Sequence, residues 1–167
     1  MIQVAMIFAA GRGERMRPLT DVTPKPLLKV AGKPLIVWQI EALARAGIRQ
    51  IVINHAWLGE QISEHLGDGD EFGVQLYYSA EQTALETAGG IANALRMLQL
   101  LSDSPIFLAV SGDVYTDYDY EQLHSVADEL ARASEPHMHL IMVDNPEFHP
   151  QGDFVLHEDG VLDPRDD

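Results

Sequence analysis

VAMIFAAGRGERMRPLT, residues 4–20, opens as an apolar run and ends as a loop rich in glycine and arginine. Residues 4–10 are apolar without alternation, which reads as a strand buried on both faces in a parallel sheet. Gly11 and Gly13 let the backbone turn sharply beyond it and expose amide donors to a phosphate. A glycine pair after a strand equally describes a plain tight turn. Two familiar phosphate loops are excluded. Met16 stands where the dinucleotide fingerprint needs its third glycine, and no Gly-Lys-Ser/Thr follows. Arg15 instead supplies a planar, permanently charged fork suited to phosphate oxygens. Farther on, Lys25 lies between Pro24 and Pro26, which stiffen the backbone around it. A cation on a stiff segment loses less entropy when it engages a ligand.

Outward from this stretch, short apolar runs alternate with longer amphipathic segments, the pattern of β-α-β units and an α/β fold with a mainly parallel sheet. Apolar residues at helical spacing predict a helix over 34–46, with Pro34 in its first turn and Gly47 at its end. Strands are predicted over 50–54, 74–78, 105–110, 139–143 and 154–156. Helices are predicted over 57–66, 90–101 and 119–133, the last capped by Asp119. The acidic tail beyond Glu158 is expected to fray. Ligands of such sheets bind beyond the carboxyl ends of the strands, near the point where the strand order reverses. The loop after the first strand and Asp113 after the fourth long strand both fall at such ends, so they are expected to converge.

With 167 residues the chain is long enough for one domain with a full core. No apolar run approaches the roughly 18 residues of a membrane helix, and the N-terminal segment lacks the basic start of a signal peptide. There are no cysteines, which fits a reducing, cytoplasmic setting. The formal charge of −15 argues against nucleic acid or anionic membrane as a partner. Six of the eleven Lys and Arg residues nevertheless fall within residues 12–33, opposed there only by Glu14 and Asp21. From residue 101 onward sixteen acids face Arg132 and Arg165. A basic patch in an acidic chain suits a small anion, since a polyanion would be repelled elsewhere; the bland alternative is a solvated charged surface.

The string of residues 11–27 matches every fixed position of the pattern GxGxRMxPLT followed by PKPL. Val30-Ala31-Gly32-Lys33-Pro34-Leu35, Asn54-His55-Ala56-Trp57-Leu58-Gly59, Leu85-Glu86-Thr87-Ala88-Gly89-Gly90, Gly112-Asp113-Val114, Val143-Asp144-Asn145-Pro146 and Gly152-Asp153-Phe154 follow in order. Together they resemble the sugar-1-phosphate nucleotidyltransferases, and within them the N-acetylmuramate α-1-phosphate uridylyltransferase group of cell-wall (peptidoglycan) recycling. The resemblance implies the Rossmann-like nucleotide-diphospho-sugar transferase fold, with helices on both faces of the sheet. It implies a reaction in which an NTP, here UTP, and a sugar 1-phosphate give a nucleotide-sugar and pyrophosphate with Mg²⁺. Relatives in the same family use glucose or mannose 1-phosphate with other nucleotides.

The resemblance also implies roles. Gly11, Arg12, Gly13, Glu14 and Arg15 would hold the NTP phosphates, and Lys25 would bridge the α-phosphate and the incoming sugar phosphate, making Arg15 and Lys25 the catalytic cations. Asp113 would bind Mg²⁺; Glu81, Glu86, Thr87 and Gly89 would form the base side, with Gly89 and Gly90 leaving room; Ser111 and Asp153 would contact the sugar. Each has a plainer alternative. Asp113 could cap a turn, Glu81 and Glu86 could be surface residues, and Asp153 could be a turn residue beside Gly152. Glu86 stands where many relatives carry Gly, and Ser111 replaces a longer amide side chain.

The family's usual catalytic domain runs longer, so the chain is expected to be a single domain, residues 1–167, lacking the family's C-terminal part and its second metal-binding Asp. A non-catalytic nucleotide-binding domain is therefore the competing reading, and apolar surface left uncovered would favour self-association. His137 and His139 share a strand face but read as ordinary edge residues. Trp38 and Trp57 read as packing residues, and Asp117 and Asp119 as caps more than as a second carboxylate.

Overall fold

The computed structural model describes residues 1–165. Its backbone contacts divide it into two compact units, Met1–His137 and a second that begins at Met138.

In chain order the strands are β1 (Val4–Phe8), β2 (Lys29–Val30), β3 (Lys33–Pro34), β4 (Gln50–His55), β5 (Gln75–Ala80), β6 (Leu108–Ser111), β7 (Phe154–Leu156) and β8 (Leu162–Pro164). The α-helices are α1 (Leu35–Arg45), α2 (Gly59–Leu66), α3 (Glu86–Leu100) and α4 (Leu123–Leu130). The first unit is built on a four-stranded sheet in the order β5-β4-β1-β6, all pairs parallel. With this order, handedness decides which face each helix covers. The chain steps from β1 to β4 to β5 through α1 and α2, then crosses back past β1 to β6 through α3. Right-handed crossovers in opposite directions must place their helices on opposite faces. The core shows this. Ala5, Ile7, Ile51 and Ile53 pack with Ile36, Ile40, Leu43 and Ile62 on one face. Val4, Met6 and Val52 pack with Ala94 and Leu98 on the other. Strand β1 is thus apolar at every position because both its faces are covered.

Local chemistry sets the element ends. Ala31 and Gly32, at φ +52° and +83°, form the two-residue turn of the β2–β3 hairpin. Pro34 then turns the chain into α1, which Gly47 closes at φ +82°. The helix expected from Trp57 starts two residues later, because Leu58 takes the left-handed conformation at φ +53°. Helix α3 starts four residues earlier than expected, through two glycines of poor helix propensity, because tertiary contacts described below fix its first turn. The expected helix over 119–133 is a 3-10 turn, Tyr120–Gln122, leading into α4; Asp119 does cap it, accepting from the Glu121 N–H at 3.1 Å.

In the second unit two expectations are corrected. Residues 139–143 do not form a strand, since no ladder partner for their backbone exists among the described residues. The tail expected to fray instead forms β8, paired antiparallel with β7 from Phe154 opposite Pro164 to Leu156 opposite Leu162. Gly160, at φ +85°, makes the turn between them.

Candidate functional site

Six of the expected site residues line one open cleft at the carboxyl ends of β1 and β6: Gly11, Lys25, Glu86, Thr87, Ser111 and Asp113. Its cavity volume of about 210 Å³ lies below the roughly 300–1,000 Å³ of pockets that enclose a drug-sized ligand, as suits a cleft open to solvent.

The loop that follows β1 is held by its own chemistry. Gly13 sits at φ +67°, and a Cβ there would meet Thr20 Cγ2 at 3.0 Å and Lys25 Cβ at 3.2 Å. The Gly13 carbonyl accepts from the buried Thr20 hydroxyl at 2.9 Å. Gly11 differs from expectation. It has no left-handed backbone, and a Cβ there would meet no protein atom within 4 Å. What its missing side chain leaves open is cleft space, not a turn. Arg12 lies over the Trp57 ring, 4.2 Å from its centroid, with Glu14 at 3.8 Å. The Trp57 indole N–H donates to the Thr20 carbonyl at 3.1 Å. Trp57, read from the sequence as a packing residue, is therefore the platform for Arg12 and a brace for the loop. Arg15 is exposed in the short 3-10 turn Glu14–Met16 and does not line the cleft. The Arg17–Pro18 peptide beyond it is cis.

Lys25 occupies a 3-10 turn, Lys25–Leu27, between its two prolines. Its Nζ donates to Asp113 Oδ2 at 2.5 Å, joining the loops that leave β1 and β6. Both side chains are partly exposed, at 26% and 33%, so the pair is open to a ligand from solvent. The Asp113 loop is also tied to α1. Buried Gln39 donates to the Val114 carbonyl at 2.6 Å and accepts from the Tyr120 hydroxyl at 2.7 Å. Burial pushes the Tyr120 phenol pKa up, although its bond to Gln39 works the other way. Sequence reading missed Gln39; the signal was a polar residue inside the apolar stripe of α1.

At the start of α3, Glu86 is exposed and left-handed at φ +61°, a conformation glycine adopts without cost. Glu81 is not a surface residue: it is 8% exposed, behind the cleft, with one carboxylate oxygen accepting from Asn54 Nδ2 and the other from the Leu85 N–H. A Cβ on Gly89 would press on Leu85 Cβ at 2.8 Å, and one on Gly90 would reach Asn54 Nδ2 at 2.7 Å. The room these glycines leave is filled by protein. Asp153 belongs to the second unit, where its carboxylate meets His149 Nε2 at 3.2 Å and its carbonyl accepts from Arg165 N–H.

Among the described residues no three His, Cys, Asp or Glu side chains cluster as a ready-made metal cage. Asp113 and Glu86 are the carboxylates that line the cleft, and a divalent ion such as Mg²⁺ is commonly held by one or two carboxylates with phosphate oxygens and water completing its shell.

Comparison with known proteins agrees with this geometry. The sequence profile of the nucleotidyl transferase family matches residues 4–148. The chain is 55% identical, over 96% of its own length and 68% of the relative's, to the N-acetylmuramate alpha-1-phosphate uridylyltransferase of Neisseria meningitidis serogroup B. It is 34% identical to the protein of that name from Caulobacter vibrioides, over 96% of the chain and 67% of the relative. A mannose-1-phosphate guanylyltransferase catalytic subunit beta from Drosophila pseudoobscura pseudoobscura is 41% identical, but over 71% of this chain and 32% of that protein. Among solved structures, a Bacillus anthracis protein described as a glucose-1-phosphate thymidylyltransferase, in complex with a sucrose, superposes with a TM-score of 0.65 at 29% identity, covering 78% of this chain and 51% of that one. HddC from Yersinia pseudotuberculosis, complexed with GMP-PN, shares the fold with a TM-score of 0.64 at 24% identity, covering 76% and 54%.

Proposed function

The chain belongs to the nucleotidyl transferase family, and from that premise we propose that it transfers uridylyl from UTP to N-acetylmuramate α-1-phosphate, giving the UDP-sugar and pyrophosphate. The observation that carries the proposal is the single cleft in which Gly11, Lys25, Thr87, Ser111 and Asp113 meet. The base and sugar are taken from the 55% identical relative.

In this reaction an oxygen of the sugar 1-phosphate attacks the α-phosphorus, and the bond to the β-phosphate breaks. The attacking oxygen is already ionised at neutral pH, so no general base is needed, and catalysis reduces to aligning two anions and offsetting their repulsion. Lys25 would leave Asp113 to bridge the α-phosphate and the sugar phosphate. Gly11 gives the chain of phosphates room against backbone amides, Gly13 leaves space for Lys25, and Arg12, Glu14 and Arg15 shape the loop's outer side. Glu86, Thr87 and Gly89 bound the base, Glu81 acts from behind them, and Ser111 is assigned to the sugar. Asp113 would hold Mg²⁺, which supplies charge neutralisation on the phosphates when bound. No helix of the described residues is long and apolar enough to cross a membrane. We place the enzyme in the cytoplasm, in peptidoglycan recycling, acting on small molecules; self-association is checked by sedimentation.

The test is pyrophosphate release over a matrix of four NTPs and the 1-phosphates of N-acetylmuramate, glucose and mannose, with Mg²⁺. Release with UTP and N-acetylmuramate 1-phosphate well above the other combinations is expected. Saturable UTP binding without release at high protein concentration would leave a binding domain only.

A further inference from the structure

We propose that Asn54 and Glu81 form a buried bracket that fixes the spacing between the two walls of the cleft, so that Glu81 acts as a positioning residue and not by touching the base. The assignment of the walls to phosphate and base rests on the function proposed above; the bracket itself rests on four hydrogen bonds.

Asn54, at the end of β4, is 2% exposed. Its Oδ1 accepts from the Ala9 N–H at 2.9 Å, and Ala9, Ala10, Gly11 and Asn54 itself line the cleft. Its Nδ2 donates to Glu81 Oε1 at 2.8 Å. Glu81 Oε2 accepts from the Leu85 N–H at 3.0 Å, one residue before Glu86 and Thr87 on the facing wall. The Glu81 N–H donates to the His55 carbonyl at 2.8 Å, anchoring the bracket to β4. The path runs from Ala9 through two buried side chains to Leu85. It ends beside Glu86, whose positive φ costs about 1–2 kcal/mol in a residue other than glycine and persists only where neighbours hold it. Gly90 belongs to the same device, because any Cβ there would collide with Asn54 Nδ2.

The donor pattern is directional. Both Glu81 oxygens accept, so Glu81→Gln must aim an N–H at the Asn54 amide or at Leu85 N–H and leave one donor facing another. Asn54→Asp sets carboxylate against carboxylate. A buried polar group left without its partner costs more than the bond is worth when made. Made together, the two changes restore the pattern: the new carboxylate at position 54 accepts from Ala9 N–H and from the new amide at 81, whose carbonyl oxygen accepts from Leu85 N–H.

The experiment compares the full chain with Glu81→Gln, Asn54→Asp and the double variant. Amide hydrogen exchange at Ala9 and Leu85 is read without ligand, and binding of UTP and of inorganic pyrophosphate is read by calorimetry. Each single change should speed Leu85 exchange and weaken UTP by about tenfold, and the double variant should recover both to within about threefold. Pyrophosphate, which needs only one wall, should lose less than UTP. Parent-like exchange in the singles, a double variant no better than the worse single, or equal losses for UTP and pyrophosphate would overturn the bracket. Should a single change prevent folding, a folded double variant supports it and an unfolded one overturns it. A parent that binds no UTP removes the proposed function, while the exchange arm still decides the bracket.

Discussion

At the level of single residues, the cations that look alike in the sequence have different stations. Lys25 is inside the cleft and paired, while Arg15 is exposed outside it. Lys25→Ala is therefore expected to lower turnover by a larger factor than Arg15→Lys. Asp113→Asn should abolish Mg²⁺-dependent pyrophosphate release while leaving the circular dichroism spectrum unchanged. Gly13 combines a left-handed backbone with contact to Lys25. Gly13→Ala should lose about 1–2 kcal/mol in urea unfolding and displace the lysine, so activity should fall with stability. His55 gives a pH dependence. Burial lowers its pKa from the ordinary 6.5, against the pull of Glu81 and Glu60. The unfolded ring therefore takes up a proton before the folded one does, and its contribution is present above pH 6.5 and lost as the pH falls below it. Urea midpoints at pH 7.5 and 5.5 should show that drop, and His55→Gln should flatten it. Equal slopes in parent and variant would exclude the ring as the cause.

Among the elements, the long buried strands and α1 were legible, because apolar periodicity and the Pro34 and Gly47 boundaries agree with one another. What escaped was decided by contacts distant in sequence. Helix α3 begins at Glu86 because Glu81 and Asn54 hold its approach, which no local propensity around Gly89 and Gly90 announces. Residues 139–143 look like a strand yet have no ladder partner among the described residues, and pairing is not written in one segment. The same limit applies to the site. The motif named Gly11, Lys25 and Asp113, which line one cleft, but Gln39, Asn54 and Trp57 around them are polar or aromatic residues in apolar surroundings, where packing and function look alike. Asp119 was legible as a cap, and its loss is a local matter. Asp119→Ala should cost about 1 kcal/mol in thermal or urea unfolding and leave nucleotide affinity intact.

Across the whole molecule, the charge pattern separates attraction from repulsion. The cations gather in residues 12–33 within a chain of net charge −15. Exposed charges of this kind are screened over about 8 Å at physiological salt. UTP affinity should consequently fall several-fold between low and high salt, and double-stranded DNA should not compete for the site; salt-independent UTP binding would place the nucleotide elsewhere. The ion pair of Lys25 with Asp113 adds a condition of its own. With no ligand, each is the other's counter-ion. A simple anion that draws Lys25 away strands the carboxylate, and a simple cation that draws Asp113 away strands the ammonium. A ligand that brings both signs to the cleft compensates both groups as they part, while the partial exposure of the pair leaves water to screen either one alone.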